Sequence, residues 1–235
     1  MVKNENIIET GKLGDNSDTE YIIHILDEED VDAVMALHGI MIKALKNPLF
    51  FKMSPKEFFE KCLSGNRLSL GITVEEKLVA CRITFIPDSM VGNQGMEVGI
   101  PAEELTQLAQ FEGIITHPEY RRLGLGKKIM ETNIAMIDKT DIRHIVATCY
   151  PENYPVIKIL LGNGFVIKNL KETYGNMIRF FVHRNRDMVN TREYRGKTIV
   201  DHLDYEKQKK LLDAGLVGVG IEKTDNGYSI VYANC

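Results

Sequence analysis

Two hydrophobic periods alternate along the chain. After Asp27 the apolar residues Val31, Val34, Leu37, Met41 and Leu45 recur every three or four positions, which predicts a helix with one buried face. Ser54-Pro55-Lys56-Glu57 reads as a capping box with Pro at the first helical position, so a second helix carrying Phe58, Phe59, Cys62 and Leu63 is expected there. Between these helices and residue 86 the period falls to two. Leu68, Leu70, Ile72 and Val74 alternate, Glu75-Glu76-Lys77 turns the chain, and Val79, Cys81, Ile83 and Phe85 alternate again, the pattern of a β-hairpin. Tyr21 to Leu26 is a short strand candidate ahead of it. Pro87 to Pro101 breaks both periods with Gly and Pro, and loops of that length are usually functional or mobile.

Further on, Phe111 to Thr116 reads as a strand, Gly124 to Asp138 as a helix with Ile129, Met130, Ile134 and Ile137 inward, and Ile142 to Thr148 as a buried strand. Asn153 is placed to cap a short helix through Leu161, with Pro155 in its first turn and Gly162 and Gly164 ending it. Strands follow at Phe165 to Leu170 and Met177 to His183. The last fifty residues begin again, with a strand at Thr198 to Asp201, a helix capped by Asp204 and stopped by Gly215, and a hairpin turned at Asp225-Asn226-Gly227. Three segments are therefore expected: a polar, flexible arm over 1–19, a main domain over 20–184, and a β-α-β-β extension over 185–235. The extension is too small for a stable core of its own, so it should dock on the chain's own core, with a homodimer as the alternative.

Composition narrows the class without naming it. The chain has 235 residues, 44% of them hydrophobic and 26% charged, ordinary values for a globular protein that needs no disulfide or metal to hold a core. A net charge of -4 argues against broad capture of nucleic acid. Cys62, Cys81, Cys149 and Cys235 form no C-x-x-C pair and stand far from any His at ligand spacing, so reduced thiols and no metal are expected. No apolar run has membrane-spanning length and the start is not built like a signal peptide, which predicts a cytoplasmic protein with no membrane partner.

Chemistry concentrates in Glu112 to Met130, EGIITHPEYRRLGLGKKIM. A strand leads through a short link into Arg121-Arg122-Leu123-Gly124-Leu125-Gly126 and straight into a helix. Glycines there let unpaired backbone N–H groups approach a ligand, and the positive helix end favours an anion such as a phosphate or pyrophosphate. Walker A would need Gly where Arg121 stands, and the dinucleotide fingerprint would need Gly or Ala at Ile129, so neither common nucleotide loop fits. A second glycine cluster, Gly215 to Gly220 (GLVGVG), runs into Ile221-Glu222-Lys223, a strand, and is discounted because no helix stands behind it.

R-x-x-G-x-G over Arg121 to Gly126 does fit another pattern, and here the chain resembles the GNAT superfamily of acyl-CoA-dependent N-acetyltransferases. Thr116-His117-Pro118-Glu119-Tyr120 leads into the loop, and Asn153 to Phe165 (NYPVIKILLGNGF) is similar to the family's second motif. The resemblance covers about residues 20 to 184. It implies an α+β (α/β) fold, a mixed central sheet flanked by helices, with the β-α-β-β extension added. It also implies acetyl-CoA as acyl donor: the N–H groups of Arg122, Leu123, Gly124, Leu125, Gly126 and Lys127 would cradle its pyrophosphate, with the side chains of Arg121, Arg122, Lys127 and Lys128 adding charge beside it. The edge of Ile114, Ile115 and Thr116 would pair with the pantetheine arm and polarise the thioester carbonyl. Asn153 would touch the pantetheine region, and the helices at 28–46 and 55–63 with the 87–101 loop would line the acceptor side.

The chain departs from the family at two catalytic positions. Seven residues after the motif Asn, where many members carry a Tyr acid, stands Leu160; five before it, where protein N-terminal acetylating members carry Glu, stands Thr148. Glu112, on the strand that would present the thioester, is the base candidate, and Tyr174 in a Tyr-Gly-Asn turn is the acid candidate. His117 and His144 read as exposed structural residues. Asp27 to Asp32 (DEEDVD) reads as helix-start carboxylates rather than a pocket for a polycation. The expected function is transfer of an acetyl group from acetyl-CoA to a primary amine of a small molecule by direct attack in a ternary complex. A non-catalytic acyl-CoA-binding module and a peptide or protein amine acetyltransferase are the alternatives.

Overall fold

The hairpin is where pattern and structure agree most closely. In the computed structural model, which describes residues 2–14, 18–189, 191, 193–225 and 227–234, Leu70–Val74 forms β3 and Lys77–Phe85 forms β4. They pair antiparallel through Leu70 and Arg82 at one end and Val74 and Lys77 at the other. Glu75 and Glu76 take φ of +47° and +64°, the doubly left-handed turn that matches strand twist. β2 (Glu20–Ile25) pairs antiparallel with β3. Residues 7–12, expected within a flexible arm, instead form β1 (Ile7–Lys12) against β2, with Ile7 opposite His24 and Lys12 opposite Glu20. Its half-buried Ile7, Glu9 and Gly11 alternate with exposed positions, a pattern too polar to read as a strand from sequence. Met1, Asp15, Asn16 and Ser17 of that segment lie outside the described residues.

The chain divides into two compact units: residues 1–86 with 111–140, and residues 87–110 with 141–235. In the first, strands run in the order β1-β2-β3-β4-β5, where β5 is Leu108–Thr116 and enters this unit at Phe111. α1 (Val31–Lys43) and α2 (Lys56–Leu63) cover one face. There Val34, Leu37, Met41, Phe59 and Cys62 pack with Cys81, Ile83 and Phe85 of β4. α3 (Leu125–Ile137) covers the other face, where Leu125 and Ile129 join Ile23, Ile72 and Val79. Asp27 caps the short turn that opens α1, accepting from the Glu29 N–H while Asp30 accepts from the Asp27 N–H, so these carboxylates complete a capping box. Lys3 pairs with Asp27 and Glu29, and Lys56 with Asp32. The capping box expected at Ser54 does not form: Pro55 holds the N-cap position of α2 and makes no side-chain bond.

In the second unit the order is β6-β8-β7-β10-β11-β9. β6 (His144–Cys149) and β7 (Val166–Thr173) both pair antiparallel with β8 (Met177–Asn185). α4 (Tyr154–Gly162) sits between β6 and β7 in sequence. The extension supplies β9 (Arg195–Asp201), α5 (Tyr205–Asp213), β10 (Val217–Thr224) and β11 (Gly227–Asn234). Asp204 caps α5 by accepting from the Lys207 N–H at 3.0 Å. The turn residue Asn226 lies outside the described residues, as does Cys235. β10 joins the edge of β7, with Gly218 opposite Ile167. A Cβ on Gly218 would stand 2.9 Å from that of Ile167, so only glycine permits this approach. The loop over 87–101 is ordered by a short 3-10 turn at Gln94–Val98 that packs Val98 against Val146 and Phe181.

Candidate functional site

β5 changes character at Glu112. Leu108 to Phe111 are buried, Glu112 to Ile114 half-buried, and Ile115 buried again. Gly113 takes φ of +132° and packs under Phe51, whose ring lies 3.2 Å from where a Cβ would be. Beside this irregularity lies Arg82 of β4, only 2% exposed. Its Nη1 donates to the Gly113 carbonyl at 2.7 Å, and its guanidinium lies 3.6 Å over the Phe111 ring. Nε and Nη2 have no hydrogen-bond partner among the described residues. Burial pulls this guanidinium down to about 9 while the Glu112 carboxylate opposes the shift, so Arg82 stays charged at neutral pH. The same carboxylate adds to burial in pushing the Cys62 thiol up to about 12, which removes it as a nucleophile. Sequence reasoning passed over Arg82, although a charged residue inside the apolar run Val79 to Phe85 was its signal.

From β5 the chain crosses to α3 in eight residues. The His117 N–H donates to the Val79 carbonyl at 2.8 Å, and His117 Nδ1 accepts from the Glu119 N–H at 3.4 Å, which starts a 3-10 turn over Pro118–Tyr120. Arg122 (φ +65°) and Gly124 (φ +78°) then swing the backbone into α3. Gly124 is the N-cap and offers no side-chain oxygen to the helix. The first helical bond runs from the Lys128 N–H to the Gly124 carbonyl at 3.0 Å, which leaves the N–H groups of Leu125, Gly126 and Lys127 without helical partners. Above Gly124 nothing lies within 4 Å of a Cβ position. An open, uncapped helix start with unpaired donors is an anion site by geometry and by dipole together.

The side chains around it divide. Arg121, Arg122 and Leu123 are exposed, while Leu125 is buried, so Leu125 can offer a ligand only its backbone. Lys127 is exposed, 3.6 Å from Glu131. Lys128, expected to add charge beside a phosphate, is instead bound to Glu9 of β1 at 2.6 Å, a bond that raises its pKa and commits its charge within the fold. Ile115 points into the core under α1 and α2, and Ile114 packs partly on the α3 side with Leu125 and Ile129. Thr116, half-buried, ends the strand.

Two predicted residues belong to the second unit. Asn153 holds the N-cap position of α4 but makes no capping bond, contrary to the expectation from its position; φ of -83° with ψ of 67° leaves its amide out of reach of the helix donors. Tyr174 sits in the β7–β8 turn at φ +53°, half-buried, and its hydroxyl accepts from Gln94 Nε2 at 3.1 Å. Both histidines expected to be exposed are buried, His117 at 7% and His144 at 2% exposure. His144 Nε2 lies 2.8 Å from a Glu104 carboxylate oxygen and its Nδ1 3.0 Å from His183 Nε2, a structural network. His38 on α1, also missed from sequence, is fully buried with both ring nitrogens unpartnered among the described residues and its ring edge-on to Phe51 and Phe59. Burial pulls it down to about 4, so it is neutral at physiological pH. Among the described residues no three His, Cys, Asp or Glu side chains gather as metal ligands, and no helix is long and apolar enough to cross a membrane.

A strand with a kinked glycine, a basic glycine loop and an uncapped helix define a class, and family comparison agrees with it. Residues 40–165 match the acetyltransferase (GNAT) family, and the chain belongs to that family. Similar solved folds include the ribosomal-protein-S18-alanine N-acetyltransferase from Escherichia coli, at 21% identity and TM-score 0.50, covering 74% of this chain and 99% of that one. Another is yncA from Salmonella typhimurium with acetyl-CoA, at 14% identity and TM-score 0.53, covering 71% and 94%. A third is the loading GNATL domain of CurA from Lyngbya majuscula, at 14% identity and TM-score 0.55, covering 71% and 98%. No curated protein sequence matches the chain. The family match ends at residue 165, ahead of the whole extension.

Proposed function

We propose that the protein transfers the acetyl group of acetyl-CoA to the primary amine of a small molecule. The observation that carries this reading is the uncapped start of α3, where the N–H groups of Leu125, Gly126 and Lys127 lack helical partners beneath the open Gly124 position. Those donors, with the N–H groups of Arg122 to Gly124, suit the donor's pyrophosphate, and Arg121 and Arg122 add positive charge from exposed positions. The backbone of Ile114 to Thr116 would receive the pantetheine arm and polarise the thioester carbonyl. Asn153, in the second unit, keeps its amide free of the helix cap and is the residue assigned to pantetheine.

In this mechanism Glu112 takes the proton from the incoming ammonium, and the freed amine nitrogen forms its bond to the thioester carbon. Collapse of the tetrahedral adduct breaks the carbon–sulfur bond. The departing thiolate takes a proton from Tyr174, the former ammonium nitrogen gives its surplus proton to the resulting phenolate, Glu112 sheds its own proton to solvent, and the products are the acetamide and free CoA. Arg82 supports Glu112 in two ways: it holds the Gly113 carbonyl and supplies a buried positive charge near the carboxylate. The buried thiols of Cys62, Cys81 and Cys149, each pushed up to about 12 by burial, fit direct attack rather than an acyl-enzyme on sulfur. The test is release of free CoA thiol across amino acids, polyamines, aminoglycosides and peptides. Turnover on a small amine supports the reading, turnover only on peptides moves the acceptor class, and binding of acetyl-CoA without turnover on any amine contradicts catalysis.

A further inference from the structure

The extension lies outside the family match, yet its side chains converge on one short loop of its own unit. That loop, Tyr150 to Tyr154, joins β6 to α4 and carries Asn153. Tyr228 of β11 is 5% exposed, and its hydroxyl donates to the Pro151 carbonyl. Its ring stacks on His202 at 4.0 Å and meets the Tyr154 ring edge-on at 5.1 Å. Tyr205 of α5 approaches the same loop from another side: its hydroxyl lies 3.4 Å from Glu152 Oε1, which also accepts from the Tyr150 hydroxyl at 2.6 Å.

These contacts are braced from behind. Gln208 is fully buried; its Nε2 donates to the carbonyls of Asp201 and His202, and its Oε1 accepts from the Tyr232 hydroxyl at 2.8 Å. β9, α5 and β11 are thereby locked to one another, and His202 Nδ1 lies 2.8 Å from the Tyr228 carbonyl. A buried amide satisfied on both ends is a stiff joint, because breaking any bond strands a polar group out of water. In the loop it supports, the Asn153 side chain makes no capping bond to α4.

We propose that Tyr205 and Tyr228 are positioning residues for the acetyl donor: they clamp the Tyr150–Tyr154 loop from the extension and so present the Asn153 amide to the pantetheine arm. The inference rests on the acetyl-CoA reading above, and it gives the extension a role in donor binding rather than in covering an acceptor. Removing two hydroxyls leaves both rings and their packing in place, so the effect falls on loop position more than on folding.

The experiment is calorimetric titration of the full chain with acetyl-CoA and, separately, with 3′-phospho-ADP, the nucleotide half of the donor that lacks pantetheine. The combined Tyr205→Phe and Tyr228→Phe variant should weaken acetyl-CoA about tenfold, the effect of losing one or two ordinary hydrogen bonds, and leave 3′-phospho-ADP within about twofold. Asn153→Ala should show the same selective loss. Joining all three changes should cost no more than either alone, the non-additivity expected of groups acting through one contact. Unchanged acetyl-CoA affinity in the tyrosine variant, equal loss of both ligands, or additive losses would overturn the proposal. If the paired variant loses its melting transition, Tyr205→Phe alone carries the test, since that hydroxyl is half-buried and its selective loss should be about threefold. A parent protein that binds neither ligand refutes the acetyl-CoA reading itself, an outcome separate from every variant result.

Discussion

The chain contains two glycine clusters of similar look, RRLGLG running into α3 and GLVGVG running into β10, and they end in opposite places. In the first, Gly124 stands at φ +78° with open space above it, and the N–H groups that follow lack helical partners. In the second, the N–H groups enter a ladder: Val217 faces Ala233, Gly218 faces Tyr232, and Gly220 faces Val231. Gly218 is there because Ile167 leaves no room for a side chain. A glycine pattern therefore carries chemical meaning only through the element that follows it. A helix leaves its first donors free for an anion, and a strand gives every other donor to its neighbour.

The largest effect should come from Gly124→Asp. It puts a side chain at a left-handed backbone position and a negative charge at the proposed pyrophosphate site, so acetyl-CoA binding should fall below detection by calorimetry. The matching change in the other cluster, Gly220→Asp, should leave that binding unchanged. Next is Glu112→Gln, which should keep donor affinity while lowering turnover about 10² to 10⁴ fold, the usual contribution of a positioned base. An unaltered pH–rate profile in that variant would remove Glu112 from the mechanism.

A third test concerns unpaired groups that no ligand can reach. The donors at α3 are open, whereas His38 is sealed in the core. Burial pulls its pKa from 6.5 to about 4, so the unfolded chain takes up a proton between these values and the folded chain refuses it. Stability should be full above pH 6.5 and decline as pH falls toward 4, by at most about 3 kcal/mol from this group. His38→Leu should flatten that part of the stability curve, read by urea melts across the range, without affecting the anion loop. The smallest effect is Gly218→Ala, which should lower stability by about 1 to 3 kcal/mol through overpacking against Ile167 and leave acetyl-CoA affinity alone. Lost donor binding in Gly218→Ala would blur the contrast between the clusters.

Much of the fold was legible because its signals are local. The hairpin of β3 and β4, the apolar face of α1 and the Asp204 cap each lie within a few residues of sequence, and each appears where its pattern placed it. β1 was not legible, since Ile7 to Lys12 alternates weakly and owes its strand to pairing with β2. The Ser54 box and the Asn153 cap failed for a related reason. Cap residues need both an extended backbone and a side-chain oxygen: Pro55, at the N-cap of a helix that starts one residue later than expected, has the backbone without the oxygen, and Asn153 has the oxygen without the backbone. In the site, the glycine loop was readable because a strand, a link and a helix follow one another without interruption. Arg82 was not, because its value comes from Gly113 and Phe111, about thirty residues away in sequence.

The central claim is that the start of α3 holds the pyrophosphate of an acyl-CoA. It is tested most directly by titrating acetyl-CoA into the parent protein and the Gly124→Asp variant side by side in a calorimeter. Saturable micromolar binding by the parent and no measurable heat from the variant is the predicted result. Equal binding by both, or none by the parent at millimolar ligand, would contradict it.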